Sequence, residues 1–199
     1  MQETEHEKAK IRDDALQRRR DLTETQRRIA ADEVCERLRD WEVTRQPRPI
    51  GGYVAFDSEV DITTFLDDKI EQGAEVALPR VDDGATMEFV PVDSLEELEP
   101  GAFGIMEPSG DPIAIDEVTV FLVPGAAFDA QGHRIGMGRG YYDRALARRL
   151  EADGTEPIFV GVCYDCQFFD EELPVEGHDV SVHAVVTPSD IVRCQSIPG

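Results

Sequence analysis

The chain has 199 residues, 41% of them apolar and 31% charged, a balance that supports a buried core and excludes the disordered class. Its 42 acidic and 20 basic residues leave a net charge of −22, with lysine only at positions 8, 10 and 69. A nucleic-acid binder needs a basic face to displace counterions, so nucleic acid is excluded as a partner. Acid dispersed along a lysine-poor chain is the composition of a protein that works in concentrated salt, where charge repulsion is screened within about 3 Å, or of one that meets a cationic partner.

The longest apolar stretch, Val118 to Phe128, contains Pro124 and Gly125. It is about half the roughly 20 residues that span a bilayer, so no membrane segment is expected. The first eight residues are mostly charged or polar where a secretory signal is apolar, which predicts a cytoplasmic protein. Cys163 and Cys166 form a CxxC, but Cys35 and Cys194 are distant and unpaired in sequence. A structural zinc site needs a second pair, and a thioredoxin-like dithiol opens a helix, so these read as reduced thiols.

Residues 3 to 41 read as two helices, the second opened by a capping box in Thr23-Glu24-Thr25-Gln26. The first carries Lys8, Lys10 and Arg12, which composition alone places on a solvated face. After the turn-rich connector Arg45-Gln46-Pro47-Arg48-Pro49, short apolar runs alternate with helical stretches. Tyr53 to Phe56 reads as a buried strand, Asp61 caps a helix that Gly73 stops, and Val76 to Leu78 and Met87 to Val90 are further strands. Ser94 to Leu98 reads as a helical turn. Val118 to Val123 is the most β-branched run and reads as the central strand, followed by a helix from Tyr141 to Ala152 and a strand from Ile158 to Val162. His183 to Thr187 adds a last strand. The pattern predicts an α/β fold with a mostly parallel central sheet flanked by helices, one domain over residues 1–199 in which residues 1–45 are helical.

Between the central strand and its helix lies a run with glycine at 136, 138 and 140. Alternating glycines let main-chain N–H groups approach a ligand, and a helix N-terminus beyond them favours an anion, so the expected ligand is phosphate. Arg134 and Arg139 bracket the cradle and offer forked donors, while Asp143, one turn into the helix, is placed for a divalent cation. The residues alone also fit a plain turn with Asp143 favouring the helix N-terminus. The spacing is neither a Walker loop nor a dinucleotide fingerprint.

The run V-P-G-A-A-F-D-x-x-G-x-R-I-G-M-G-R-G-Y-Y-D-R-A-L closely resembles the signature of the 5-formyltetrahydrofolate cyclo-ligase family. The resemblance extends to Lys8-x-x-x-Arg12, Glu59-x-x-x-Thr63, Leu78-Pro79-Arg80, Met87-Glu88-Phe89, Gly104-Ile105-Met106-Glu107-Pro108 and His178-Asp179-Val180. It implies an ATP- and Mg²⁺-dependent enzyme that closes a reduced folate, 5-formyltetrahydrofolate, into 5,10-methenyltetrahydrofolate after phosphorylation of the formyl oxygen. Lys8, Arg12, Arg134, Gly136, Met137, Gly138, Arg139, Gly140, Tyr141 and Tyr142 would hold ATP, with Arg12, Arg134 and Arg139 acting on the transferred phosphoryl group. Asp143 and Asp179 would hold Mg²⁺; Glu59, Met87, Phe103 and Tyr142 would face the folate. Phe103 stands where tryptophan is frequent in the family, Arg139 where some members have lysine, and His183 where aspartate is frequent. No protein nucleophile is required, and the chain would act as a monomer or homodimer. The competing readings are a related enzyme acting on another small formylated or carboxylated metabolite, and a non-catalytic nucleotide-binding module.

Overall fold

The computed structural model describes residues 2–46, 48–82, 86–101 and 104–198; Pro47 of the connector and the expected folate-facing Phe103 lie outside them. Helices α1 (Gln2–Asp21) and α2 (Glu24–Asp40) are the two expected at the N-terminus. Both halves of the capping box form, with the Gln26 N–H donating to Thr23 Oγ1 at 3.3 Å and the Thr23 N–H to Gln26 Oε1 at 2.8 Å. Two main-chain donors at the helix start are thereby satisfied. Helix α2 buries Ala31, Val34, Cys35 and Leu38, the i, i+3, i+4, i+7 stripe of an amphipathic helix, and a short α3 (Glu42–Arg45) follows.

Helix α1 departs from the solvated basic face that its composition predicts. Lys8, Ala15, Leu16 and Arg19 are buried, so residues 8, 12, 15 and 19, spaced at helical period, form an inward stripe carrying cations. These charges face acidic groups and main-chain carbonyls rather than apolar side chains, which is what makes their burial tolerable.

The main sheet has the order β12 (Ile191–Arg193), β11 (Ala184–Val186), β9 (Ile158–Val162), β6 (Val120–Pro124), β1 (Ile50–Gly51), β2 (Val76–Val81), β3 (Met87–Val92). All neighbours are parallel except β2–β3 and β11–β12 at the two edges. The β-branched run is at the centre, as its composition predicts. Its alternating side chains divide the core: Val120 and Leu122 pack in one cluster with Val34 and Leu38 of α2 and with Phe65 and Leu66 of α4 (Thr63–Glu71). Phe121 and Val123 pack on the opposite face with Ala145 and Leu146 of α5 (Tyr141–Glu151), as a period of two requires. Asp61 Oδ1 accepts the Thr63 N–H at 2.9 Å at the start of α4, and Gly73 takes φ +78° beyond its end.

One expected strand is displaced. Tyr53 to Phe56 is irregular, and pairing instead involves Ile50 and Gly51. The reason is close approach: a Cβ at Gly51 would lie 3.0 Å from the Phe121 ring and one at Gly52 2.9 Å from Leu66. Only glycine fits at positions 51 and 52, whereas the larger Tyr53, Val54 and Phe56 that follow line the cavity described below.

The sheet reverses its direction of growth between β1 and β6, since β2 and β3 extend one way and β9, β11 and β12 the other. In open α/β sheets, ligands bind beyond the carboxyl ends of the strands at this switch point, where the segments after β1 and β6 meet. The segment after β6 contains two short strands, β7 (Ala127–Asp129) and β8 (Arg134–Ile135), joined by a ladder to β10 (Phe168–Phe169); β4 (Glu99–Pro100) and β5 (Met106–Glu107) form a separate pair.

Phe128 of β7 lies over Gly161 of β9, where an added Cβ would come within 2.4 Å of its ring. We predict that Gly161→Ala lowers stability by about 1–3 kcal/mol through overpacking, measured by urea unfolding, and that Phe128→Leu in the same chain recovers some of the loss.

Candidate functional site

Beyond the carboxyl ends of β1 and β6 lies a cavity of about 740 Å³, within the size range of small-molecule sites. Every site residue expected from the sequence that lies among the described residues lines it: Lys8 and Arg12 from α1, Glu59 after β1, Met87 at the start of β3, Arg134 through Asp143 after β7, and Asp179 before β11. The structure therefore brings residues from five distant segments around one cavity.

The glycine run is shaped as an anion cradle requires. Gly138 and Gly140 take φ +87° and +64°, values that L side chains rarely adopt, and Gly140 is the N-cap of α5. The loop and the first turn of the 11-residue helix that it precedes both line the cavity, where main-chain N–H groups and the positive end of a helix favour an anion. At Gly136 a Cβ would lie 2.8 Å from Arg134 Nη1, so glycine there lets the guanidinium lie against the main chain.

Arg134, only 6% exposed, donates from Nη2 to Asp143 Oδ1 at 2.7 Å and from Nη1 to the Pro124 carbonyl at 3.5 Å. Its guanidinium stands 5.8 Å from the Tyr142 ring, a cation–π distance. Its Nε is buried without a hydrogen-bond partner among the described residues. Arg12 Nε donates to the Gly136 carbonyl at 2.7 Å, pinning the loop to α1. Arg139 is exposed at the loop tip, and its carbonyl accepts from Arg144 Nη1 at 2.9 Å.

The two aspartates expected at a metal are engaged by different cations. Asp143 Oδ1 accepts from Arg134 and, at 3.4 Å, from the Val180 N–H, which ties α5 to the segment carrying Asp179. Asp179 Oδ2 accepts the Glu176 N–H at 2.7 Å and pairs with Lys8 Nζ, which also reaches Glu176 Oε2 at 3.0 Å. Ligand atoms of Glu176, His178 and Asp179 lie within 4.8 Å of one another. Glu176 was not expected from the sequence; its only signal is an acidic residue three before Asp179. The carboxylates of Glu176 and Asp179 lie together in that group, and the oxygen donors of such residues suit a hard divalent cation, which takes one or two carboxylates alongside phosphate oxygens; Asp143 is not part of the group.

In the same lining, Glu59 Oε2 accepts the Phe56 N–H at 3.0 Å. Burial raises the Glu59 carboxyl above the ordinary range, opposed by that hydrogen bond and by the charge of Arg19. Burial also holds the phenol of Tyr142 neutral, far above its usual value. Tyr53, Phe56, Glu107 and Arg144 line the cavity without having been singled out; Tyr53 and Phe56 were hidden by their reading as strand residues. His183 is not among the lining residues, and its Nδ1 accepts the Phe159 N–H at 2.9 Å. The cysteines are free thiols, with Cys163 buried beyond β9.

The ion pair that closes α1 onto residues 176–179 has a defined pH window. Burial alone would lower the Lys8 ammonium, but hydrogen bonds and charge from Asp179 and Glu176 raise it; burial alone would raise Asp179, but the same pairing and the Glu176 N–H lower it. A depressed aspartate contributes stability that is complete above its unfolded value and lost as pH falls through its folded one; a raised lysine contributes stability lost only as pH rises through its folded value. We predict that Asp179→Asn lowers stability by about 2 kcal/mol at neutral pH and that the difference from wild type persists down to about pH 4 and shrinks only as pH falls further, read from thermal melts across pH.

Comparison with known proteins identifies the family. The model of the 5-formyltetrahydrofolate cyclo-ligase family matches residues 4–188. The 5-formyltetrahydrofolate cyclo-ligase of Escherichia coli (strain K12) is 32% identical over 180 residues, covering 88% of this chain and 97% of its own length. That of Mycolicibacterium smegmatis is 34% identical over 191 residues, covering 91% and 93%. The solved structure of Aquifex aeolicus 5,10-methenyltetrahydrofolate synthetase matches with a TM-score of 0.83 at 33% identity over 95% of this chain and 93% of that one. With a cradle at the switch point, the expected residues around one cavity and this likeness along nearly its whole length, the chain belongs to the 5-formyltetrahydrofolate cyclo-ligase family.

Proposed function

We propose that the protein converts 5-formyltetrahydrofolate to 5,10-methenyltetrahydrofolate with ATP and Mg²⁺, releasing ADP and phosphate. The observation that carries this is the convergence on one cavity of a glycine cradle with Arg12, Arg134 and Arg139 and, in the same lining, Glu59, Met87 and Tyr142. The first set recognises phosphates; the second offers an acceptor and apolar surface to a flat heterocycle.

A formyl group on nitrogen is a poor electrophile because amide resonance feeds its carbon. ATP supplies the phosphoryl group that turns the formyl oxygen into a leaving group, after which the folate's second nitrogen closes the ring. The protein's work is alignment and charge stabilisation. Arg134 is held by Asp143 and Tyr142 so that its planar fork is fixed before ligand arrives. Arg12 keeps the loop in register through the Gly136 carbonyl. Arg139, exposed at the tip, is placed to close over phosphate. Glu59 accepts from the pterin's N–H donors, and the neutral Tyr142 adds a polar edge without charge.

The cavity lining supports the cation. Lys8, Arg12, Arg134, Arg139 and Arg144 stand against Glu5, Glu59, Glu107, Asp143, Glu176 and Asp179. A triphosphate entering a lining with no excess of positive charge needs a counterion of its own, and Asp143, Asp179 and Glu176 are the residues to hold it. We also place the protein in the reducing cytosol, which suits its free thiols, and at high salt, which suits a net charge of −22.

The test mixes purified protein, Mg-ATP and 5-formyltetrahydrofolate and follows the methenyl product by absorbance in low and high KCl. We expect one ADP per product and faster turnover in high salt. ATP hydrolysis without methenyl product would overturn the assignment. Arg139→Ala is expected to lower turnover on the order of 10³-fold, while its melting temperature stays near wild type because the side chain is exposed.

A further inference from the structure

We propose that Arg19, which lies outside the cavity lining, is a positioning residue that sets the Glu59 carboxylate for the folate; this rests on the folate wall assigned above. Arg19 is 1% exposed on the inward stripe of α1. Its Nε donates to Ser58 Oγ at 3.0 Å and its Nη2 to Asp57 Oδ2 at 3.4 Å, and Ser58 Oγ in turn donates to Asp57 Oδ2 at 3.1 Å.

What Arg19 grips is the turn that presents Glu59. Asp57 has φ +55°, and among the described residues no other non-glycine takes a positive φ. A side chain in that region is strained and persists only when its surroundings over-determine it. The turn closes through the Glu59 N–H to the Phe56 carbonyl at 3.1 Å and the Phe56 N–H to Glu59 Oε2 at 3.0 Å. The Tyr164 hydroxyl fixes it further, donating to the Glu59 carbonyl at 3.2 Å. Arg19 and Tyr164 thus both hold the turn while Phe56 and Glu59 line the cavity.

Stability does not account for this arginine. Its Nη1 is buried with no hydrogen-bond partner among the described residues, and the Asp57 side chain it meets is 50% exposed. A buried charge with so little compensation is no better for folding than an apolar side chain of its size. Its positive charge does favour the ionised form of Glu59 against burial. Since α1 also carries Lys8 and Arg12, one helix sets both walls.

The test measures KM for 5-formyltetrahydrofolate and for ATP separately, with melting temperature, in Glu59→Gln, Arg19→Met, Arg19→Lys and Ser58→Ala. We expect Glu59→Gln and Arg19→Met to raise the folate KM roughly tenfold or more, with the ATP KM within about twofold and Arg19→Lys recovering most of the loss. Arg19→Met should melt within about 3 °C of wild type. If Glu59→Gln raises the folate KM and Arg19→Met does not, or if Arg19→Met raises both KM values together with a fall in melting temperature, the positioning role is overturned and the folate wall stands. A wild-type folate KM in Glu59→Gln removes the wall and the proposal with it. Should Arg19→Met fail to fold, Ser58→Ala carries the comparison: a higher folate KM alone supports the role, and an unchanged one overturns it.

Discussion

Arg134 is a charged side chain enclosed by protein, and its ion pair with Asp143 is what makes that enclosure possible. Leaving a buried guanidinium unpaired costs about 3–5 kcal/mol, a large share of a domain's stability, so folding favours keeping the two residues together. One belongs to β8 and the other to the first turn of α5, which leaves the five residues from 136 to 140 a short and nearly fixed course between them. Glycine at 138 and 140 supplies the left-handed backbone that this course demands, and glycine at 136 lets the chain lie against the arginine. The cradle is therefore formed by folding, ahead of any ligand, which is the condition for binding energy to act on chemistry rather than on ordering.

The electrostatics of the molecule run on two scales. A surface field set by −22 charges repels both proposed substrates, whereas the α1 stripe and the glycine loop collect cations at the cavity. These cations are matched by carboxylates close by, so the site selects by directed hydrogen bonds more than by net potential. Salt weakens the long-range repulsion without much weakening contacts made inside the cavity.

Much of the fold was legible because its strongest signals are local. The β-branched run at β6 is the centre of the sheet, and Thr23 and Gln26 form the reciprocal cap that their spacing predicts. What escaped was set by tertiary contact. Ile50-Gly51 lies ahead of the run expected as the strand, and Phe121 and Leu66 press so closely on Gly51 and Gly52 that no larger residue fits at those two positions. The short β7, β8 and β10 have too few residues to show a period. The glycine loop was legible in the site from its own residue types, but Lys8, Arg12 and Glu59 took their meaning from family resemblance. The inward side of α1 is basic, and polarity patterns assign such a side to solvent; a stripe at 8, 12, 15 and 19 with alanine inside it was the available clue. Arg19 and Glu176 act on partners in distant segments, so spacing alone could not find them.

The central claim is that main-chain amides from 136 to 141, with Arg134 and Arg139, hold the phosphates of a nucleotide while the folate lies against Glu59. A crystal structure of the protein with Mg²⁺, a non-hydrolysable ATP analogue and 5-formyltetrahydrofolate tests it most directly. The account predicts γ-phosphate oxygens within hydrogen-bond distance of those amides and of both guanidinium groups, with the formyl oxygen beside them. A nucleotide seated elsewhere, with the glycine loop unliganded, would contradict it.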